Sequence, residues 1–89
     1  MGFFYMQKYY VYILISNKSR RYIGYTSNLE QRLSQHNRKH HGFTGTDEVW
    51  QIEIVKECET KEEAMTLEKY LKSMKNARKA AAYLRRIVG

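Results

Sequence analysis

The 89-residue sequence contains no proline. No proline-rich hinge divides it, and it shows no internal repeat or low-complexity linker. It has one cysteine, Cys58. That excludes an internal disulfide and a cysteine-based metal cluster, and fits a reduced, cytoplasmic compartment. No apolar run approaches the ~20 residues a membrane span needs. The opening "MGFFYMQKYY" holds a short apolar patch. No basic residue precedes the patch and no small-residue cleavage site follows, so a cleaved leader is not expected. At this length the expectation is one domain, residues 1–89, with one core and one surface site.

Acid is the next scarcity. From Met1 to Thr46 the only acidic residue is Glu30. Seven acids then crowd into residues 47–63: Asp47, Glu48, Glu53, Glu57, Glu59, Glu62 and Glu63. After Glu68 there is none, and Lys69, Lys72, Lys75, Arg78, Lys79, Arg85 and Arg86 follow. The net charge is +7, and two basic blocks flank an acidic one. A solvated lysine-rich surface would read this way, but blocky charge in a small basic domain points more strongly to a polyanionic partner.

What is abundant is tyrosine, eight in all. "YVYILIS" is β-branched and aromatic without a polar face, which predicts a strand over residues 8–15 covered on both sides. "NKSR" is a polar turn in which Asn17 tolerates positive φ. Residues 21–25 return as the second strand of an antiparallel hairpin. "TSNLEQRLSQHNRKHHG" switches to helical spacing, with Ser27 and Glu30 as a capping box and Gly42 as the stop. "EVWQIEIVKE" alternates and predicts a third strand with one irregularity near its end. "TKEEAMTLEKYLKSM" is a second helix opened by a Thr60–Glu63 capping box, with Ala64, Leu67, Leu71 and Met74 on its apolar stripe. "NARKAAAYLRRIV" is a third helix with Asn76 as N-cap. The expected fold is α+β: a small three-stranded antiparallel sheet, the N-terminal hairpin plus a third strand, packed with about three helices.

Several side chains could carry chemistry. Arg32 and His36 share a helix face beside the apolar Leu29–Leu33 stripe. Arg32 either seals the core edge and pairs with an acid, or grips a phosphate through its fork. Neighbouring His40 and His41 point apart and carry little signal. Glu68 falls on the apolar stripe of the second helix. An inward acid must be paired, snorkel outward or hold a cation. A single carboxylate is a poor zinc or calcium site but suits Mg²⁺, which keeps most of its waters. Tyr12 and Tyr22 either pack as amphipathic strand residues or present phenols at a pocket rim.

The two halves Tyr10-Val11-Tyr12 and Tyr22-Ile23-Gly24, followed by Arg32, His36 and Glu68 in that order, resemble the GIY-YIG nuclease family. The likeness is greatest to its small stand-alone members, related to the N-terminal nuclease domain of excinuclease C. It spans residues 8 to about 80. It implies an endonuclease that hydrolyses phosphodiester bonds with one divalent metal ion, Mg²⁺ or Mn²⁺, in DNA repair or processing. By the resemblance, Tyr12 and Tyr22 flank the attacking water, one of them as general base or its relay, Arg32 holds the scissile phosphate, His36 assists and Glu68 ligates the metal. Arg32 and the metal are expected to favour the phenolate and lower the phenol's pKa. Gly24 allows close backbone approach. Asn76 matches a polar amide that often follows the metal-ligating helix. The family's first glycine is Tyr10 here, and Val49 stands where small members often have proline before the tryptophan. Neither change removes a catalytic group.

The partner is expected to be nucleic acid, DNA in preference to RNA, contacted by Arg20, Arg21, Arg38, Lys39, Lys72, Lys75 and Lys79. No membrane is involved, and a protein partner would supply specificity. The alternative is a nucleic-acid-binding module of the same fold without useful turnover. A protein-interaction domain, suggested by Gly2-Phe3-Phe4-Tyr5, is a third reading.

Overall fold

The computed structural model describes residues 7–39 and 48–89. The Gly2–Tyr5 patch, His40, His41, the stop at Gly42 and Asp47 lie outside them. The elements run β1 (Tyr9–Ser16), β2 (Arg21–Thr26), α1 (Leu29–Lys39), β3 (Trp50–Cys58), α2 (Lys61–Ser73) and α3 (Ala77–Val88). The sheet order is β2-β1-β3, antiparallel throughout. The expected α+β fold of three strands and three helices is therefore the observed one.

The central place of β1 explains its unbroken apolarity. Val11, Tyr12 and Ile13 are fully buried and Leu14 nearly so. Val11 and Ile13 face α2 and α3, against Ala64, Leu71, Ala80, Ala81 and Leu84. Tyr12 and Leu14 face the other way, against Trp50 and the α1 residues Leu29 and Leu33. Each fully buried aliphatic side chain contributes about 1.5–3 kcal/mol, so helices on both sides are needed to hold so small a sheet.

The helix starts correct one local expectation. Asn28, not Ser27, caps α1, its Oδ1 accepting from Gln31 N at 3.1 Å. The Thr26 hydroxyl fixes Asn28 by accepting from its amide at 3.0 Å. Thr60 caps α2 by accepting from Glu63 N at 3.1 Å, and the Glu63 carboxylate accepts from Glu59 N at 3.0 Å. Asn76 caps α3 by accepting from Lys79 N at 3.0 Å.

The hairpin turn also differs. Positive φ falls on Ser19 (63°), not Asn17. Asn17 instead ties the turn to the start of β3, exchanging two hydrogen bonds with the Val49 backbone at 2.9 and 3.1 Å. The irregularity of the third strand lies in its middle. Ile13 pairs with Ile54 and Leu14 with Ile52, leaving Glu53 as the extra residue of a bulge.

That bulge serves an ion-pair network. Arg21 makes a forked contact to Glu53, Nε at 2.7 Å and Nη2 at 3.0 Å, and Arg85 on α3 reaches the same carboxylate at 3.4 Å. The hydrogen bonds from Arg21, with help from Arg85, hold the Glu53 carboxyl below its ordinary value of 4.5 against the opposing effect of burial. A depressed folded-state pKa adds stability that is present above the unfolded value and lost as pH falls through the folded one. The stability gap between wild type and Glu53→Gln should thus be full at neutral pH. It should begin to close as pH drops below about 4.5 and keep closing at lower pH. Urea melts from pH 7 to pH 3 check this, and a pH-independent gap would mean the network adds no charge-dependent stability.

Candidate active site

Tyr12 lies on the α1 face of β1, directly opposite Gly24 on β2. A Cβ at Gly24 would meet the Tyr12 hydroxyl at 2.6 Å and its Cζ at 2.9 Å. Glycine is required there because the phenol passes against the strand backbone. The buried phenol underlies an open cavity of about 490 Å³ beside β2. Tyr22, Arg32 and Glu68 line the same cavity. Tyr9, Tyr25, Ser27 and Lys61 line it as well. Four of the five residues expected around the chemistry are thus brought to one place from four elements.

The fifth, His36, stands behind. Its ring lies edge-on to Tyr22 at 4.4 Å between centroids and tilts against Trp50 at 5.8 Å. Tyr22 in turn lies roughly parallel to Tyr12 at 6.4 Å. His36 therefore orients Tyr22 and does not line the cavity. Asn37, one residue on, accepts from Trp50 N at 2.8 Å and donates to Trp50 O at 3.2 Å. These bonds fasten α1 to the start of β3 and fix the level of Arg32. The sequence pattern offered no cue for Asn37, whose partner is 13 residues away.

The electrostatics run against one expectation. Burial pushes the Tyr12 phenol up to about 12, with Tyr22 and Glu68 adding to the rise. Arg32 pulls it down as expected, but burial outweighs it. Tyr12 is consequently neutral at physiological pH. Its hydroxyl is buried and has no hydrogen-bond partner of ordinary geometry; the Arg32 guanidinium acts on it chiefly by charge, with a weaker hydrogen-bonding contribution. Leaving a buried hydroxyl unpaired costs about 1–3 kcal/mol, a cost that a ligand or water held in the cavity would relieve.

Glu68 has a side chain 20% exposed and, among the described residues, is the one acid lining the cavity. It pairs with Lys72 at 3.2 Å one turn along α2, not with Arg32. An i,i+4 pair to a half-exposed lysine is worth only about 0.3–0.5 kcal/mol, so the carboxylate is easily taken by another cation. Among the described residues no group of three or more His, Cys, Asp or Glu is placed to hold a metal ion. One carboxylate beside an unpartnered phenol does not fit zinc. It does fit Mg²⁺ or Mn²⁺ completed by water and substrate phosphate oxygens.

Arg20 forks onto Glu48, whose side chain is 2% exposed, and Arg21 onto Glu53. Each is paired with an acid, although the Arg20 side chain stays 65% exposed and Arg21 shares Glu53 with Arg85. Arg21, Lys72 and Lys75, with Asn76, border a second hollow of about 280 Å³ that shares Tyr22 with the first. Lys75, just past the Met74 C-cap of α2, has a left-handed φ of 55°, which costs a non-glycine residue about 1 kcal/mol or more. Lys79 is exposed on the first turn of α3 and does not border that hollow. Arg38 and Lys39 fall in the last turn of α1, and their side chains lie outside the described residues.

Residues 8–81 match the GIY-YIG catalytic domain. The chain belongs to the GIY-YIG family. The match covers both strands of the hairpin, the cavity and the three helix starts. No curated protein and no solved structure matches the chain. Membership implies nuclease-type activity on nucleic acid, and nucleases of this family generally use divalent metals. No helix among the described residues is long and apolar enough to cross a membrane.

Proposed function

We propose that this GIY-YIG domain is a metal-dependent endonuclease that hydrolyses phosphodiester bonds in DNA, in preference to RNA, during repair or processing in the cytoplasm. In this reading the chain is kin to the N-terminal nuclease domain of excinuclease C, and a protein partner supplies its specificity. One observation carries the catalytic part: a buried, unpartnered Tyr12 hydroxyl underlies a cavity that also holds Tyr22, Arg32 and Glu68.

Hydrolysis of a phosphodiester needs charge neutralised on the phosphate, an oriented water and a supported leaving oxygen. Arg32 holds the phosphate by its planar fork, which a lysine cannot reproduce. The neutral Tyr12 phenol orients the attacking water as hydrogen-bond donor or acceptor. Tyr22, 40% exposed, stands at the mouth where that water's proton leaves, and His36 fixes its ring. Glu68 and the metal's own waters would hold a divalent ion, which supplies Lewis-acid stabilisation of the developing charge. Lys72, Lys75 and Asn76 carry the strand away along the second hollow, and Arg38, Lys39 and Lys79 add to the basic field.

The Glu68–Lys72 pair and the neutral Tyr12 also suit the other reading, a binding module without turnover. Incubation with DNA and RNA of several structures, with and without Mg²⁺ or Mn²⁺, decides between them. Metal-dependent nicking is the expected result. Binding without nicking would leave the module, and the absence of binding would remove both.

A further inference from the structure

Among the described residues, Lys61 is the one cavity-lining base besides Arg32, and nothing in helix stability accounts for it. It is the first residue of α2. A cation there meets the positive end of the helix dipole, which disfavours it by a few tenths of a kcal/mol or more. The acids Glu62 and Glu63 in the same turn are the residues that stabilise such an end. Among the described residues Lys61 makes no ion pair.

Its position along α2 gives it a direction. Lys61, Glu68 and Lys72 are spaced seven and four residues apart, so they share one stripe of the helix. At 1.5 Å per residue, Lys61 lies about 10 Å to one side of Glu68 and Lys72 about 6 Å to the other. Lys61 borders the cavity of Tyr12, whereas Lys72 borders the neighbouring hollow. The roughly 16 Å between the two lysines equals several 3.4 Å steps of a nucleic-acid strand. A single phosphate cannot serve both.

We propose that Lys61 holds a backbone phosphate on the flank of the cleavage position opposite to the flank held by Lys72, so that the strand runs along α2 with Glu68 between the two lysines. This rests on the nuclease reading of the cavity and assigns the strand's path across it.

The test is equilibrium binding of labelled duplex DNA in chelator, by fluorescence anisotropy, over a range of salt concentrations. Lys61→Ala should reduce the slope of log K against log salt by about 0.9 and weaken binding roughly eight-fold at 0.1 M salt. Lys61→Ala/Lys72→Ala should lose about twice the slope of either single variant, because the two contacts are on separate phosphates. Lys69→Ala is the control: it removes an exposed lysine of the same helix that borders neither cavity, and its slope should match wild type. Alanine at the first turn leaves the helix intact and removes the unfavourable dipole contact, so the melting temperature should be unchanged or higher by a degree or so, at about 4–8 °C per kcal/mol. Wild-type protein that binds while Lys61→Ala keeps its slope would overturn the path alone. So would a Lys69→Ala loss equal to that of Lys61→Ala, or a double variant no worse than a single one. Wild-type protein that does not bind would overturn the nuclease reading and the path with it.

Discussion

Glu68→Gln should abolish metal-dependent cleavage while leaving the fold and the binding of nucleic acid in place. Glu68 is the single acid bordering the cavity among the described residues, and these hold no group of three or more ligating side chains placed to bind a metal in its stead. The amide keeps the length and shape of the carboxylate but loses the charge that attracts a divalent ion. The fold should hardly respond. The one ion pair lost is to Lys72, half in solvent, and such pairs are worth only a few tenths of a kcal/mol. Binding measured in chelator should even tighten slightly, because a negative charge has left the phosphate path and Lys72 is released. Cleavage assays across a Mg²⁺ and Mn²⁺ titration, paired with thermal melts, check both halves. Wild-type rates in this variant would remove Glu68 from the metal site.

Tyr12→Phe should move activity and stability in opposite directions. The hydroxyl is buried without a partner, so its removal deletes a desolvation cost of about 1–3 kcal/mol. The phenyl ring keeps the packing against Leu14 and Trp50 and beneath Gly24. In a domain of this size each kcal/mol gained raises Tm by about 4–8 °C. The rate should nonetheless fall by roughly 10²–10⁴, the range for a positioned proton-handling group. A residue that only packed would show the rise in Tm with no loss of rate. A drop in both would show that the hydroxyl is bonded in the native fold. The opposed signs identify a site in which stability has been given up for function.

These variants depend on residues legible at different levels. The strands, the hairpin and the caps at Thr60 and Asn76 follow from spacing and turn chemistry within a few residues. The doubly covered β1 was legible because a strand with helices on both faces has no polar side to show. Tyr12, Tyr22, Arg32 and Glu68 were legible as a set through family resemblance. What the resemblance could not supply was their surroundings, such as the neutral state of Tyr12, which burial decides.

Errors gathered where two neighbouring residues are locally equivalent. Ser27 and Asn28 are both good caps, as Asn17 and Ser19 both fit a turn. The selection came from partners outside the segment, the Thr26 hydroxyl in one case and the Val49 backbone in the other. The same holds for charge. Arg20 and Arg21 read as part of a basic block, and their pairing with Glu48 and Glu53, 28 and 32 residues away in sequence, is visible only in space. Lys61 was hidden in the opposite way, as a base inside an acidic block, until α2 turned it toward the cavity. The sequence by itself determined which elements form, because helix and strand periodicity and capping act over a handful of residues. Only the tertiary structure decided which charges are paired with acids and which line the cavity, because ion pairing and burial act between segments that chain order keeps apart.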